Sequence, residues 1–147
     1  MTYYPPVAFH FKVEFSGISE QQLDVEFQSI AGLTSELELE EISEGGENRF
    51  KHTLPIKSKY SNLILRRGIV VDSKLIQWCQ RALEDFEFSP VDLTVKLLNE
   101  KHEPLLSWSV VHAIPVKWEV AEFNSLESKV MMETLELSYN YFKIIKL

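Results

Sequence analysis

The residues able to carry chemistry in this 147-residue chain are four histidines, one cysteine and a group of closely spaced carboxylates. His10, His52, His102 and His112 are far apart, and none has the local partner spacing of a zinc helix or knuckle. Two of them could still meet in space, and strand patterning puts His10 and His112 on polar or interface faces. Cys79 stands on the apolar side of a predicted helix, where a free thiol packs as a small hydrophobe more often than it attacks a substrate. Glu36, Glu38 and Glu40 alternate along a predicted strand and share one face. Such a face could hold a general acid and base, but a solvated strand accounts for it more simply. Gly45-Gly46 is followed by charged residues and not by a helix start, so it makes no phosphate cradle. Trp78, Trp108 and Trp118 have apolar neighbours and suit a core or a subunit interface better than a ligand platform. These readings assign no catalytic residue, no cofactor and no metal.

The elements that would position these residues are mostly strands. Residues 8–15 alternate, with Phe9, Phe11, Val13 and Phe15 on one face, the period of a half-buried strand. Alternation resumes over 24–30 and again over 33–42, where Leu37 and Leu39 oppose Glu36, Glu38 and Glu40. The Glu44-Gly45-Gly46-Glu47-Asn48 stretch has turn chemistry, and residues 44–60 read as a long hairpin or extended loop, with Pro55 arguing for a sheet edge. Residues 63–71 suit a buried strand exposed at its end. A single amphipathic helix begins at Asp72 or Ser73 and places Leu75, Cys79, Ala82, Leu83 and Phe86 on one side. Strands over 92–98, 105–111 and 116–120 follow, joined by 99–104 and 113–115. A turn or short helix over 122–128 leads to a long final strand over 129–143, with a register shift near Met132. Many antiparallel strands with one inserted helix predict a mainly β fold, a sandwich or partly closed barrel with the helix packed at an edge.

One domain, residues 1–147, suits this length, and 45% hydrophobic content is enough for a core without disulfide or metal. A lone cysteine fits a reducing cytosol, and Met1–Pro6 does not read as an export leader. No apolar stretch approaches the ~20 residues of a membrane span. Fifteen Lys plus Arg against 22 Asp plus Glu give a net charge of -7, which disfavours nucleic acid as a ligand. The charge is segregated: Glu36, Glu38, Glu40, Glu41, Glu44 and Glu47 precede a stretch, 48–71, that holds Arg49, Lys51, Lys57, Lys59, Arg66 and Arg67 and no acid. Two readings are open: strand faces that pair within one molecule, or complementary surfaces on different copies.

The order of features carries more than any one of them. An opening Tyr-Pro-Pro-Val-Ala-Phe-His-Phe-Lys-Val is followed by Phe-Gln-Ser-Ile-Ala-Gly-Leu at 27–33 and an acidic strand ending in Glu-Gly-Gly-Glu-Asn at 44–48. Leu54-Pro55, Tyr-Ser-Asn-Leu at 60–63, Leu-Arg-Arg-Gly at 65–68 and a helix with Leu75 and Trp78 come next. Trp108, Ala-Ile-Pro-Val-Lys at 113–117 and Glu-Thr-Leu-Glu-Leu-Ser-Tyr at 133–139 complete a succession over nearly the whole chain. This succession resembles the tail-tube proteins of contractile phage tails and extracellular injection systems, and is similar to the type VI secretion tube. The resemblance implies a non-enzymatic subunit that assembles as a homohexameric ring, stacked into a hollow tube within a contractile sheath. The partners it implies are further copies of the chain, a sheath protein, baseplate and tube-initiator proteins, and a possible lumen cargo. It implies synthesis in the cytoplasm and assembly into an extracellular or membrane-anchored particle. It also implies an inter-ring contact loop, matched here by Glu44, Glu47, Arg49, Lys51, Lys57, Lys59 and Tyr60, and a lumen or interface face carrying Glu36, Glu38 and Glu40. A tube-initiator subunit of the baseplate has the same fold. The readings from other classes are a soluble β-sandwich ligand-binding module and an enzyme using Cys79 or a histidine pair.

Overall fold

In the computed structural model the described residues are 10–18, 26–42, 52–124 and 129–145. Alternation builds the first strand, β1 (His10–Phe15), which turns Val13 and Phe15 inward. It pairs antiparallel with β7 (Val91–Leu98), so that Val13 faces Val95 and Phe15 faces Leu93 across the ladder. The 24–30 alternation is realised as two short strands, β2 (Glu26–Phe27) and β3 (Ser29–Ala31), divided at Gln28. The division has a topological cause: β2 pairs with β1, whereas β3 pairs with β6 (Leu63–Gly68) at the other end of the strand order. The Gln28 N–H donates to the Arg66 carbonyl at 2.9 Å, where the chain changes partner.

The resulting order is β2-β1-β7-β8-β9-β6-β3, with β10 (Tyr141–Ile145) on β8. β8 (Pro104–Asn124) organises it. Its first half pairs with β7 and β10 and its second half with β9 (Lys129–Ser138). The expected break over 113–115 is therefore absent, and the chain runs through as one strand. The position is marked instead by positive φ at His112 (55°) and a ladder irregularity between Pro115 and Lys117. That irregularity lies on β8 and not near Met132. Residues 122–124 belong to β8, and 125–128 lie outside the described residues. The expected 129–143 strand is interrupted at Tyr139-Asn140, because β9 serves β6 and β8 while β10 returns to β8. The architecture is mainly antiparallel β with one helix, and the sheets do not close into a barrel.

The helix α1 (Lys74–Asp85) is capped by Ser73, whose Oγ accepts from the Ile76 N–H at 3.3 Å. Leu75, Trp78, Cys79 and Ala82 are its buried stripe, and β8 is its main neighbour among the strands. Leu83 and Phe86, expected on the same stripe, are exposed. Leu83 is within the helix but outside its buried stripe, whereas Phe86 lies past the helix end: it takes a left-handed φ of 56°, and its N–H and that of Glu87 both donate to the Arg81 carbonyl. Helical spacing therefore no longer governs where the Phe86 ring points.

Beneath the helix N-terminus lies the charged part of the interior. Arg67 on β6 and Glu133 on β9 are 3% and 2% exposed and pair at 2.7 Å. Arg67 also donates to Ser73 Oγ at 3.1 Å and stacks over the Phe27 ring, while Trp118 Nε1 donates to Glu133 at 2.9 Å. With no buried polar side-chain atom left unsatisfied among the described residues, the network ties β2, β6, β8, β9 and the helix cap together.

Candidate assembly interface

Among the described residues β4 (Ser35–Ile42) and β5 (His52–Tyr60) pair only with each other, as a two-stranded ribbon. Every residue of β4 is exposed, and every residue of β5 except Tyr60. Sequence alternation correctly identifies an acidic face on β4, but the opposite face is not a core face: Leu37 is 61% and Leu39 56% exposed. Cross-strand partners share a face. Ser58 stands opposite Leu37 and Pro55 opposite Leu39. The register steps between Glu38 and Leu39, and Ile56, the extra residue of this bulge, is 57% exposed. Pro55 is tolerated because β5 has no second neighbour strand among the described residues to which its missing N–H would donate.

On the other face Lys59 lies across from Glu36 and Lys57 across from Glu38, with Lys57 Nζ 3.5 Å from the Glu38 carboxylate. Acidic and basic residues thus meet along this ribbon within one protomer. The pair is well exposed, so it contributes little to folding, about 0–1 kcal/mol. Glu40 is opposite Leu54. Glu44, Glu47, Arg49 and Lys51 lie outside the described residues.

The base of the ribbon is built differently from its blade. Tyr60 is half-buried, its ring 5.2 Å from Phe142 and 6.0 Å from Tyr139. The Tyr139 hydroxyl donates to the Gly32 carbonyl at 3.2 Å, and burial, then the neighbouring Tyr60, pushes its pKa up to about 12. Gly32 has φ +95°, and a Cβ there would sit 1.9 Å from the Asn62 carbonyl oxygen, so the two ends of the ribbon touch only because residue 32 has no side chain. Asn62 in turn donates to Glu136 on β9 at 3.0 Å. Sequence reasoning identified Tyr60 but not Gly32, whose only local signal was that it ends an alternating run.

Further apolar side chains are exposed on the body, among them Val116 and Trp118 on β8, Met131 on β9 and Ile144 on β10. Trp78 is buried, Trp108 half-buried and Trp118 39% exposed. The candidate nucleophile is enclosed: burial, with the nearby Glu133 charge adding to it, pushes the Cys79 thiol up to about 12. A thiol in that range is not a thiolate at neutral pH. His52 lies on the ribbon and His112 is exposed, while His10 and His102 are brought together. Among the described residues no three His, Cys, Asp or Glu side chains are arranged to hold a metal.

Residues 7–143 match the family model of the T4-like virus tail tube protein gp19. A chain of the six-fold symmetrised anti-feeding prophage baseplate superposes with a TM-score of 0.82 at 29% identity, over 99% of this chain and 97% of that one. A chain of the sheath–tube complex of an extracellular contractile injection system, PVC, in its extended state gives 0.73 at 21% identity, over 97% and 91%. Hcp1 from Salmonella typhimurium gives 0.56 at 15% identity, over 95% and 87%. The last two similarities show the fold alone. No curated protein sequence matches the chain.

Proposed function

The chain belongs to the T4-like virus tail tube family, and we propose that it forms stacked hexameric rings, a hollow inner tube inside the contractile sheath of a phage tail or injection system. It is a structural subunit of tube or tube-associated type, and in this reading it needs no catalysis, cofactor or metal to assemble. The single observation that carries the reading, beside the family, is the β4–β5 ribbon. It extends an apolar face and a charge-striped face that are exposed along almost its whole length. Exposed strands of this kind recruit other chains, and a head-to-tail contact repeated around a rotation axis closes a ring while its axial repeat makes a filament. On this reading the segment with Glu44, Glu47, Arg49, Lys51, Lys57, Lys59 and Tyr60 meets the next ring, Tyr60 by holding the ribbon at its base. The face with Glu36, Glu38 and Glu40 lines the lumen or an interface. The partners are the sheath protein, the baseplate and tube-initiator proteins and any cargo, with synthesis in the cytoplasm before assembly into the particle. Among the described residues no helix is long and apolar enough to cross a membrane.

A second reading places the chain in the first ring at the baseplate, as a tube initiator. The observation favouring it is the identity pattern, 29% to the baseplate chain against 21% to the sheath–tube chain. Negative-stain electron microscopy across protein concentration tests both. Hollow tubes of indefinite length support the tube subunit, single rings that do not stack support the initiator, and monomers at every concentration, with or without baseplate neighbours, reject both. Charge reversal of Lys57 and Lys59 to Glu is expected to weaken ring stacking and alter its salt dependence; stacking with an unchanged salt response removes these lysines from the contact.

A further inference from the structure

His10 and His102 are 92 residues apart in sequence, yet His10 Nε2 and His102 Nδ1 are 2.9 Å apart, with the rings nearly perpendicular at 73°. The two are held by separate and well-fixed elements. His10 is the first described residue of β1, opposite Leu98. His102 sits in the β7–β8 turn, which is wound around the buried Asn99: its side chain accepts from the Lys101 and Glu103 N–H groups, and its backbone bonds Glu103 and His102. Within that turn His102 is held at a φ of 61°, a left-handed conformation that costs free energy in any residue with a side chain. The turn therefore fixes where the imidazole sits. Both rings border an open cleft of about 380 Å³ that Glu26, Gln28 and Arg67 also line, the Arg67 charge being offset by its pairing with Glu133.

We propose that this pair chelates a late first-row divalent cation of the Zn2+, Ni2+ and Cu2+ class, with water completing the coordination sphere. Metal–imidazole bonds of 2.0–2.1 Å at tetrahedral angles need a nitrogen separation of roughly 3.4 Å, so the pair has to open by about half an ångström. Imidazole nitrogens select these ions over Mg2+ and Ca2+, which take oxygen ligands. In the apo protein one ring donates its N–H to the lone pair of the other. On binding, that ring moves its proton to its other nitrogen, so that two neutral lone pairs face the metal with no net proton lost. The third and fourth positions open toward the cleft, where Glu26 stands opposite Lys12, the residue two along from His10. The net charge of -7 favours cation accumulation at the surface. The metal would cross-link β1 to the β7–β8 turn in the folded state only, and so would raise the melting temperature.

The test is calorimetric titration of the full chain with Ni2+, beside thermal melts with and without the metal. The variants are His10→Gln and His102→Asn, the latter because asparagine tolerates the left-handed φ. The native chain is expected to show one site more than either variant, with at least a tenfold loss of affinity at that site on removing either ring. The Ni2+-dependent rise in melting temperature should be absent from both variants, and Mg2+ at the same concentration should give neither effect. The proposal is overturned if both variants bind Ni2+ as the native chain does, if the native chain shows no binding, or if Mg2+ substitutes equally well. Equal melting temperatures of the metal-free native and variant chains would show that a change in binding is not a change in folding.

Discussion

The body and the ribbon are both antiparallel β-structure, but they solve opposite problems. In the body each alternating strand places its apolar residues against a neighbour from elsewhere in the chain, and the buried Arg67–Glu133 pair is enclosed by Ser73, Trp118 and Phe27. In the ribbon the same alternation yields two wet faces, and the charges pair at 3.5 Å in the open. Burial gives the body its folding free energy. Apart from cross-strand pairing, the ribbon contributes little to it. Its apolar face gains free energy only when another surface covers it. Secondary structure that is costly to leave exposed and is retained outside the core is where the proposed contact between copies falls.

The largest effect expected separates these regions. Arg67→Met leaves the Glu133 carboxylate buried with Trp118 as its remaining side-chain donor shown here, and is expected to cost about 3–5 kcal/mol in urea unfolding. Replacing both partners, Arg67→Met with Glu133→Leu, should recover much of that loss. A single substitution costing less than about 1 kcal/mol would erase the energetic contrast. At the boundary between the regions, Gly32→Ala combines a φ of +95° with a Cβ driven into the Asn62 carbonyl. It is expected to destabilise by about 2 kcal/mol and to loosen the base of the ribbon. Faster limited proteolysis within β4 and β5 than elsewhere in the variant would register the second effect.

How much of this was legible in the sequence follows the same division. Strands β1, β7 and β9 and the helix were readable because a period of 2 or 3.6 reports a one-sided environment, and Ser73 announced the cap. The ribbon was legible only in part: Pro55 pointed to a sheet edge, but 44–60 read as a hairpin or extended loop of its own, whereas 52–60 is one strand paired with β4 and 43–51 lie outside the described residues. The continuity of β8 was not, since Pro115 has breaker chemistry and it is pairing with β7 at Ala113 and with β9 at Ile114 and Pro115 that keeps the backbone extended there. Phe86 was misplaced because periodicity does not show where a helix stops, and Leu83 because the buried stripe of Leu75, Trp78, Cys79 and Ala82 is narrower than the run of apolar residues suggests. The exposure of Leu37 and Leu39 was hidden for a deeper reason: alternation says that an apolar face will be covered, not by which molecule. The Arg67–Glu133 pairing depends on β6 and β9 lying side by side, and the His10–His102 meeting on β1 and the β7–β8 turn; neither is encoded in local spacing.

The smallest effect on folding should therefore coincide with a large effect on assembly. Leu37→Ser, Leu39→Ser and Ile56→Ser each remove an apolar side chain that is more than half exposed in the protomer. No buried cavity forms, because each side chain is already more than half exposed, so each substitution is expected to shift monomer stability by no more than about 0.5 kcal/mol. If the ribbon face is covered by another copy, the same side chains are buried in the ring or between rings. Burying a whole leucine or isoleucine side chain is favourable by about 1.5–3 kcal/mol, and each such contact recurs in every subunit. The triple variant should then unfold at the native urea midpoint while its rings or tubes appear only at concentrations at least tenfold higher. A lowered midpoint would show that the ribbon belongs to the folding unit after all. Unchanged assembly at an unchanged midpoint would move the contact surface to the exposed body residues, with Val116, Trp118, Met131 and Ile144 the first to substitute.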